Sequence, residues 1–233
     1  MMDHKLRTFY YGTFLLFSTP YQKQANPGDF LLQNKRHAQE KDYVTEIDAA
    51  TGDGDHWVNM NMGFTAIANS SEELGNLKLS DMFKKIGKNF ISVVGGSSGV
   101  LYGSAYLEAA KLTAGASHLT PETLCGVLEA MTNAIMQRGN AKPGDKTMVD
   151  SIYPAVQTFR LGLEEGTDLT MLLPAVKQAA IDGAESTKNM VAVKGRAYYQ
   201  ADRSISHIDP GAVTMSYQIG ILMDYALEHL TPA

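Results

Sequence analysis

The sequence predicts an all-α domain of about eight helices joined in order. Apolar residues recur at helical spacing through most of the chain, several segments open with recognisable N-terminal signals, and few alternate apolar and polar residues as a half-buried strand would. At 233 residues, with 44% hydrophobic and 19% charged residues, the chain can bury a sizeable core and has an ordinary globular composition.

Residues 1–40 read unlike the rest. Lys5 and Arg7 precede the apolar run Phe9-Tyr10-Tyr11-Gly12-Thr13-Phe14-Leu15-Leu16-Phe17, the outline of a signal peptide. The run is too short to span a bilayer as a helix, and Ser18-Thr19-Pro20-Tyr21-Gln22 offers no convincing cleavage site. Neither export nor a membrane role is expected. Residues 1–40 are read as a divergent N-terminal segment and 41–233 as a single helical domain. From Pro27-Gly28-Asp29 the chain turns polar, and Phe30 to Ile47 is predicted helical.

A helix is expected from His56 to about Ser70, then a polar turn from Asn69 to Lys78. Ser80 is the expected cap of a clear amphipathic helix whose apolar stripe is Met82, Phe83, Ile86, Phe90, Ile91 and Val94. That helix stops at Gly95-Gly96-Ser97-Ser98-Gly99, and a small-residue helix resumes through Leu112. Thr120-Pro121-Glu122 is an N-cap followed by Pro at the first helical position. Its helix carries Leu124, Val127, Leu128, Met131 and Ile135, and Gly139 ends it. The loop from Gly139 to Lys146 leads into a helix bearing Met148, Ile152, Val156 and Phe159, with Pro154 as an expected kink. Asp168 caps the next, to about Thr187. The longest connection runs from Asn189 to Pro210, and the last helix carries Val213, Tyr217, Ile221 and Tyr225.

A net charge of −5 without a Lys/Arg cluster argues against a nucleic-acid partner. The single Cys125 excludes an intrachain disulfide and reads as a packed thiol.

Short loops make consecutive helices antiparallel neighbours, so loops alternate between two ends of a bundle. Counting from the acidic turn at 48–56, the loops at 95–99, 139–146 and 188–210 fall on the same end. Those four hold the chemically unusual residues.

Asp48, Asp53 and Asp55 fall within eight residues, separated by Gly52 and Gly54. On a turn whose glycines take positive φ all three can converge, and an all-oxygen donor set suits a hard cation such as Mg²⁺. Helix-capping aspartates in an acidic surface turn are the alternative. The Gly95–Gly99 turn opens a helix, so its backbone N–H groups and Ser97 and Ser98 can receive an anion; a plain helix break is the alternative. No Gly-Lys-Ser/Thr follows, so it is not a Walker A loop. Lys194, Arg196 and Arg203 are candidates for balancing phosphate charge. Asp209 either caps the last helix or joins the site. His56 and His207 can act as bases or hydrogen-bond to phosphate or carboxylate, and Trp57 either covers a ligand or packs in its helix. Together these read as a site for phosphoryl transfer.

Glu46-Ile47-Asp48-Ala49-Ala50-Thr51-Gly52-Asp53-Gly54-Asp55-His56, the Gly95–Gly99 turn, Gly144-Asp145-Lys146-Thr147-Met148-Val149-Asp150 and the run from Lys194 to Ala212 resemble the nucleotide-binding L subunits of bacterial dihydroxyacetone kinases. The resemblance implies a closed up-and-down antiparallel eight-helix barrel holding ADP (or ATP) and two Mg²⁺ at one end. It implies metal binding by Asp48, Asp53 and Asp55. The nucleotide contacts it implies are His56 and Asn59, with backbone from Trp57 and Val58; Ser97 and Ser98; Gly139 and Met148 on the adenine side; Arg196; and Asp209, Pro210 and Gly211.

The activity implied is that of a cytoplasmic transferase. Phosphate passes from a phosphohistidine protein, the M subunit of the phosphotransferase system, to dihydroxyacetone held by a separate K subunit, and no catalytic residue is assigned within this chain. A homodimer is left open. A nucleotide-bound regulator of a transcription factor, and an ATP-dependent kinase subunit for a carrier-presented substrate, are the alternative functions. The sequence departs from the family at Trp57 and Ser206, each a usual Gly, and at Val100, a usual Pro; all three are expected to line the pocket.

Overall fold

The computed structural model describes residues 27–200 and 204–230. The readings of the apolar run at 9–17 and of Arg203 lie outside the described residues. The described helices are α1 (Pro27–Thr51), α2 (His56–Asn69), α3 (Ser71–Leu74), α4 (Leu79–Val93), α5 (Gly96–Leu112), α6 (Pro121–Gly139), α7 (Val149–Glu164), α8 (Leu169–Ser186) and α9 (Pro210–Leu230), with 3₁₀ turns at Thr187–Asn189 and Arg196–Gln200. There is no strand among the described residues, and no described helix is long and apolar enough to cross a membrane. The boundary drawn between residues 40 and 41 falls inside α1.

From α4 onward each helix packs on the next, and α9 meets α7 and α1 as well as α8. The α4–α5 contact is made close by two glycines. A Cβ on Gly87 would stand 2.9 Å from the Gly103 carbonyl oxygen, and one on Gly103 the same distance from that of Gly87. This is why α5 is built of small residues: Ala105, Ala109 and Ala110 are buried where larger side chains would hold the helices apart.

Beside that seam Phe90 stacks on Tyr102 and Tyr106 at centroid distances of 5.3 and 5.5 Å and receives Phe64 edge-on at 5.3 Å. The cluster ties α2, α4 and α5 together, each ring pair contributing about 0.5–1.5 kcal/mol beyond the area it buries.

The start signals at Thr120 and Asp168 operate as read. Thr120 Oγ1 accepts from the Thr123 N–H at 3.2 Å, and Asp168 Oδ1 from the Thr170 N–H at 2.7 Å. α6 ends with Asn140 in the left-handed region, φ 45°, directly after Gly139.

Three local readings are corrected. Ser80 does not cap α4, whose N-cap is Lys78; its hydroxyl donates to the Ala110 carbonyl of α5 at 2.7 Å. Ile91 is exposed, lying over Gly103 at the margin of the seam while Met82, Phe83, Ile86, Phe90 and Val94 are buried. In α9, Tyr217 and Ile221 are only half-buried, and Met215, Ile219, Leu222, Met223 and Ala226 go inside with Val213 and Tyr225. A helix packed on three neighbours buries more than one stripe, so no single period marks its core. Cys125 is buried as read, and burial pushes its thiol up to about 11.

Candidate nucleotide and metal site

The connections α1–α2, α4–α5, α6–α7 and α8–α9 all reach one cavity of about 440 Å³, within the usual range for a small-molecule pocket. The loops selected by alternation are thus brought together.

The acidic bend is built from the end of α1. Asp48 lies within the last turn of that helix, not on the bend itself, and is 7% exposed. The chain leaves through Gly52, whose Cβ position is 2.5 Å from Asp48 Oδ1, and turns at Gly54, φ 75°. A side chain at either position would push the carboxylates apart or strain the backbone. One oxygen from each of Asp48, Asp53 and Asp55 then lies within 4.8 Å of the others. Asp55 occupies the N-cap of α2 without a side-chain capping bond, so its carboxylate is not spent on the helix. Asp48 Oδ2 does accept from the His56 N–H at 3.0 Å, which leaves its other oxygen uncommitted by that bond. Such an all-oxygen set fits a hard divalent cation.

Arg196 provides the balancing charge in this arrangement, pairing with Asp53 and, at 3.3 Å, with Asp55. Across the cavity Gly95 is the N-cap of α5 with no side-chain cap, and Gly96 takes φ 65°. The first N–H groups of that helix have no intrahelical acceptor, and Ser97 and Ser98 stand beside them on the cavity wall. Asn59 Oδ1 lies 3.2 Å from where a Gly95 Cβ would be, so the first turn of α2 meets the Gly-Ser turn.

The opposite wall is organised by Asp150 and Lys146, which lie in the Gly144–Asp150 run that the sequence marks without a separate role for either side chain. Asp150 accepts from the Gly144 and Thr147 N–H groups at 2.5 and 2.8 Å, fixing the loop before α7. Lys146, 2% exposed and at φ 61°, donates to the carbonyls of Thr187 and His207. It thereby pins both ends of the long α8–α9 connection. Burial lowers its pKa, against the charges of Asp209 and Asp150. The short-range signal was the spacing of Asp150 three residues after Thr147, a capping pattern; Lys146 was marked only by its place in the Gly139–Lys146 loop.

Asp209 Oδ2 caps α9 through the Ala212 N–H at 2.7 Å while also lining the cavity. Burial pushes its carboxyl up to about 7, with nearby Asp150 and Asp48 adding to the rise and Ala212 N–H and Lys146 opposing it. Burial lowers the pKa of His56, with Asp48 opposing.

Of the predicted residues, Asp48, Asp53, Asp55, His56, Asn59, Ser97, Ser98, Gly139, Met148, Arg196, Asp209, Pro210 and Gly211 line the cavity, as do Lys194 and Val100. Trp57 and Ser206 do not. Trp57 is 2% exposed within the core, because the second position of α2 faces inward, and Ser206 is exposed outside the cavity. The Val58 side chain is exposed away from the cavity, as is His207. Arg138, not selected from sequence, joins the wall from the last turn of α6.

Residues 50–224 match the DAK2 domain. The chain is 36% identical over 183 residues to the ADP-binding subunit DhaL of the PEP-dependent dihydroxyacetone kinase of Escherichia coli (strain K12), covering 78% of this chain and 87% of that protein. It is 35% identical over 191 residues to the ADP-binding subunit DhaL of the PTS-dependent dihydroxyacetone kinase of Lactococcus lactis subsp. lactis (strain IL1403), covering 82% and 91%. Its fold is similar to that of the dihydroxyacetone kinase from C. freundii solved with AMP-PNP and Mg²⁺, with a TM-score of 0.62 and 23% identity over 95% of this chain and 33% of that one. On the match over residues 50–224 and the identities to these two subunits, the chain belongs to the DAK2 domain family.

Proposed function

We propose that the chain is the nucleotide-binding phosphoryl-transfer subunit of a dihydroxyacetone kinase, holding ADP and two Mg²⁺ in the rim cavity. The observation that carries this is the convergence of Asp48, Asp53 and Asp55 within 4.8 Å, facing the uncapped start of α5 across one cavity. Relatives named as ADP-binding subunits support the nucleotide, and the C. freundii kinase solved with AMP-PNP supports Mg²⁺. In this reading residues 41–233 are the nucleotide domain and the eight long helices form a closed up-and-down antiparallel barrel. The contact of α9 with both α8 and α1 supports closure.

Bound divalent ions would supply charge neutralisation at the phosphates. The chain's own residues do the rest. The three carboxylates would hold the ions, and the first N–H groups of α5 with Ser97 and Ser98 would orient the diphosphate. Gly139 and Met148 form the apolar side, where a base can lie. Arg196, paired with Asp53 and Asp55, would be available to phosphate once cations balanced those carboxylates. No side chain here forms a covalent intermediate; positioning and charge are what phosphoryl transfer requires.

The acceptor, dihydroxyacetone, sits on a separate K subunit, and the phosphohistidine M subunit of the phosphotransferase system recharges the nucleotide in the cytoplasm. Relatives named as PEP- and PTS-dependent subunits support this route. The test is reconstitution: Mg²⁺-dependent phosphorylation of dihydroxyacetone only when K and M proteins are both added. Turnover of free dihydroxyacetone by this chain alone overturns the partner requirement, and turnover with K and ATP but no M assigns an ATP-exchanging mode instead.

A further inference from the structure

Behind His56, outside the cavity wall, lies a set of buried hydrogen bonds that joins α9 and α5 to the ring. The main-chain carbonyl of Thr214 can only accept, and it receives Gln218 Nε2 at 3.1 Å. That fixes the Gln218 amide, whose second N–H goes to the Tyr102 hydroxyl at 2.7 Å. Thr214 Oγ1 donates its single proton to the Gly211 carbonyl at 3.2 Å. The remaining contact of Thr214 Oγ1 is His56 Nε2 at 2.9 Å. With the hydroxyl proton on that carbonyl, the ring is the donor in this contact.

We propose that Thr214 is a positioning residue that fixes the proton of His56 on Nε2 and leaves Nδ1 as a hydrogen-bond acceptor for the cavity. Thr214 is fully buried, and Tyr102 and Gln218 nearly so, so water does not substitute for any member of the set. His56 is held from both sides: its N–H rests on Asp48 and its ring on α9. The only ring nitrogen left for a ligand carries a lone pair. His56 therefore meets a hydrogen-bond donor, and a bare phosphate oxygen is the wrong partner for it. A ribose hydroxyl and a metal-held water are the two donors such a site offers. This assignment rests on the nucleotide reading for its ligand, though not for the tautomer itself.

The experiment is a long-range ¹H–¹⁵N correlation spectrum of the full chain, with His56 assigned through His56→Gln. The free protein is expected to show a pyrrole-type Nε2 and a pyridine-type Nδ1. Thr214→Val, which removes the hydroxyl and keeps the shape, is expected to lose that pattern and weaken ADP binding about tenfold, one hydrogen bond's worth. Thr214→Ser is expected to restore both. Mg²⁺ alone and ADP alone are then added separately. Movement of the Nδ1 resonance with Mg²⁺ assigns the water, and movement with ADP assigns the hydroxyl.

A proton on Nδ1 in the free wild-type protein, or an unchanged pattern in folded Thr214→Val, overturns the proposal. So does an Nδ1 that responds to neither addition while ADP binds. If Thr214→Val does not fold, the wild-type spectrum still decides the tautomer. Absence of ADP binding with the Nε2 proton in place overturns the nucleotide reading and upholds the role of Thr214.

Discussion

Gly183 of α8 lies directly on the main-chain carbonyl of Asp150 in α7. A Cβ there would stand 2.1 Å from that oxygen and 2.8 Å from Pro154 Cγ. Pro154 sits one helical turn after Asp150 and has no N–H, so the Asp150 carbonyl loses its intrahelical donor. The glycine lets α8 close over that carbonyl, and Ser151 Oγ donates to Ala180 O at 2.9 Å beside it. The carboxylate of the same Asp150 holds the Gly144–Thr147 loop, so this helix contact and one wall of the cavity share a residue. Gly183→Ala should therefore lower stability by about 2–3 kcal/mol, typical of forced overpacking, read as a shifted denaturant midpoint. An unchanged midpoint would contradict the close contact.

Ser206 holds φ 71° on an exposed bend, where a residue with a Cβ is strained by about 1–2 kcal/mol. Ser206→Gly should raise stability by roughly 1 kcal/mol, part of the relief being offset by the freedom glycine adds to the unfolded chain. A rise of several degrees in Tm is not expected for a domain of this size; a rise of about two is.

In this arrangement Arg196 competes with any cation for Asp53 and Asp55. Arg196→Ala should tighten binding of Mg²⁺ alone several-fold while weakening ADP binding in the presence of Mg²⁺. Titration calorimetry separates the two. Weakened binding of Mg²⁺ alone would show that the pair does not restrain the carboxylates.

The Asp209 carboxyl, raised to about 7, binds its proton more tightly in the folded chain than in the unfolded one. Its contribution to stability is therefore present in full below the usual carboxylate range and is lost as pH rises to about 7. Asp209→Asn keeps the α9 cap and removes the titration. Relative to wild type without added metal, the variant should gain on the order of a few kcal/mol between pH 4 and 7. A constant difference across that range would contradict the burial of this group.

Much of this arrangement was legible in the chain itself. Thr120 and Asp168 stated their helix starts through short-range capping, and Met82, Phe83, Ile86 and Phe90 stated a face because α4 buries one side. Loop alternation was enough to gather Asp53, Ser97, Gly139 and Asp209 around one cavity before any distance was known. What escaped depends on partners distant in sequence. Ser80 looked like a cap but serves the end of α5, and Trp57 beside the acidic bend turned out to face the core. Lys146 and Thr214 act through contacts 41 and 158 residues away, which no local pattern announces.

The carboxylate cluster tests itself through one substitution. Asp53→Asn should abolish Mg²⁺ binding and nucleotide retention while leaving the helical circular dichroism nearly intact, because Asp53 is exposed and caps no helix. Stabilisation by added Mg²⁺ and ADP, which follows from ligand binding only the folded state, should vanish with it. Retained ADP in the variant would refute the metal role of Asp53.

Native mass spectrometry of the purified full chain, with phosphorus and magnesium counted, reaches the central claim most directly. One ADP with two Mg²⁺ per chain is the predicted composition. A chain that carries neither, and gains neither when both are added, would contradict it.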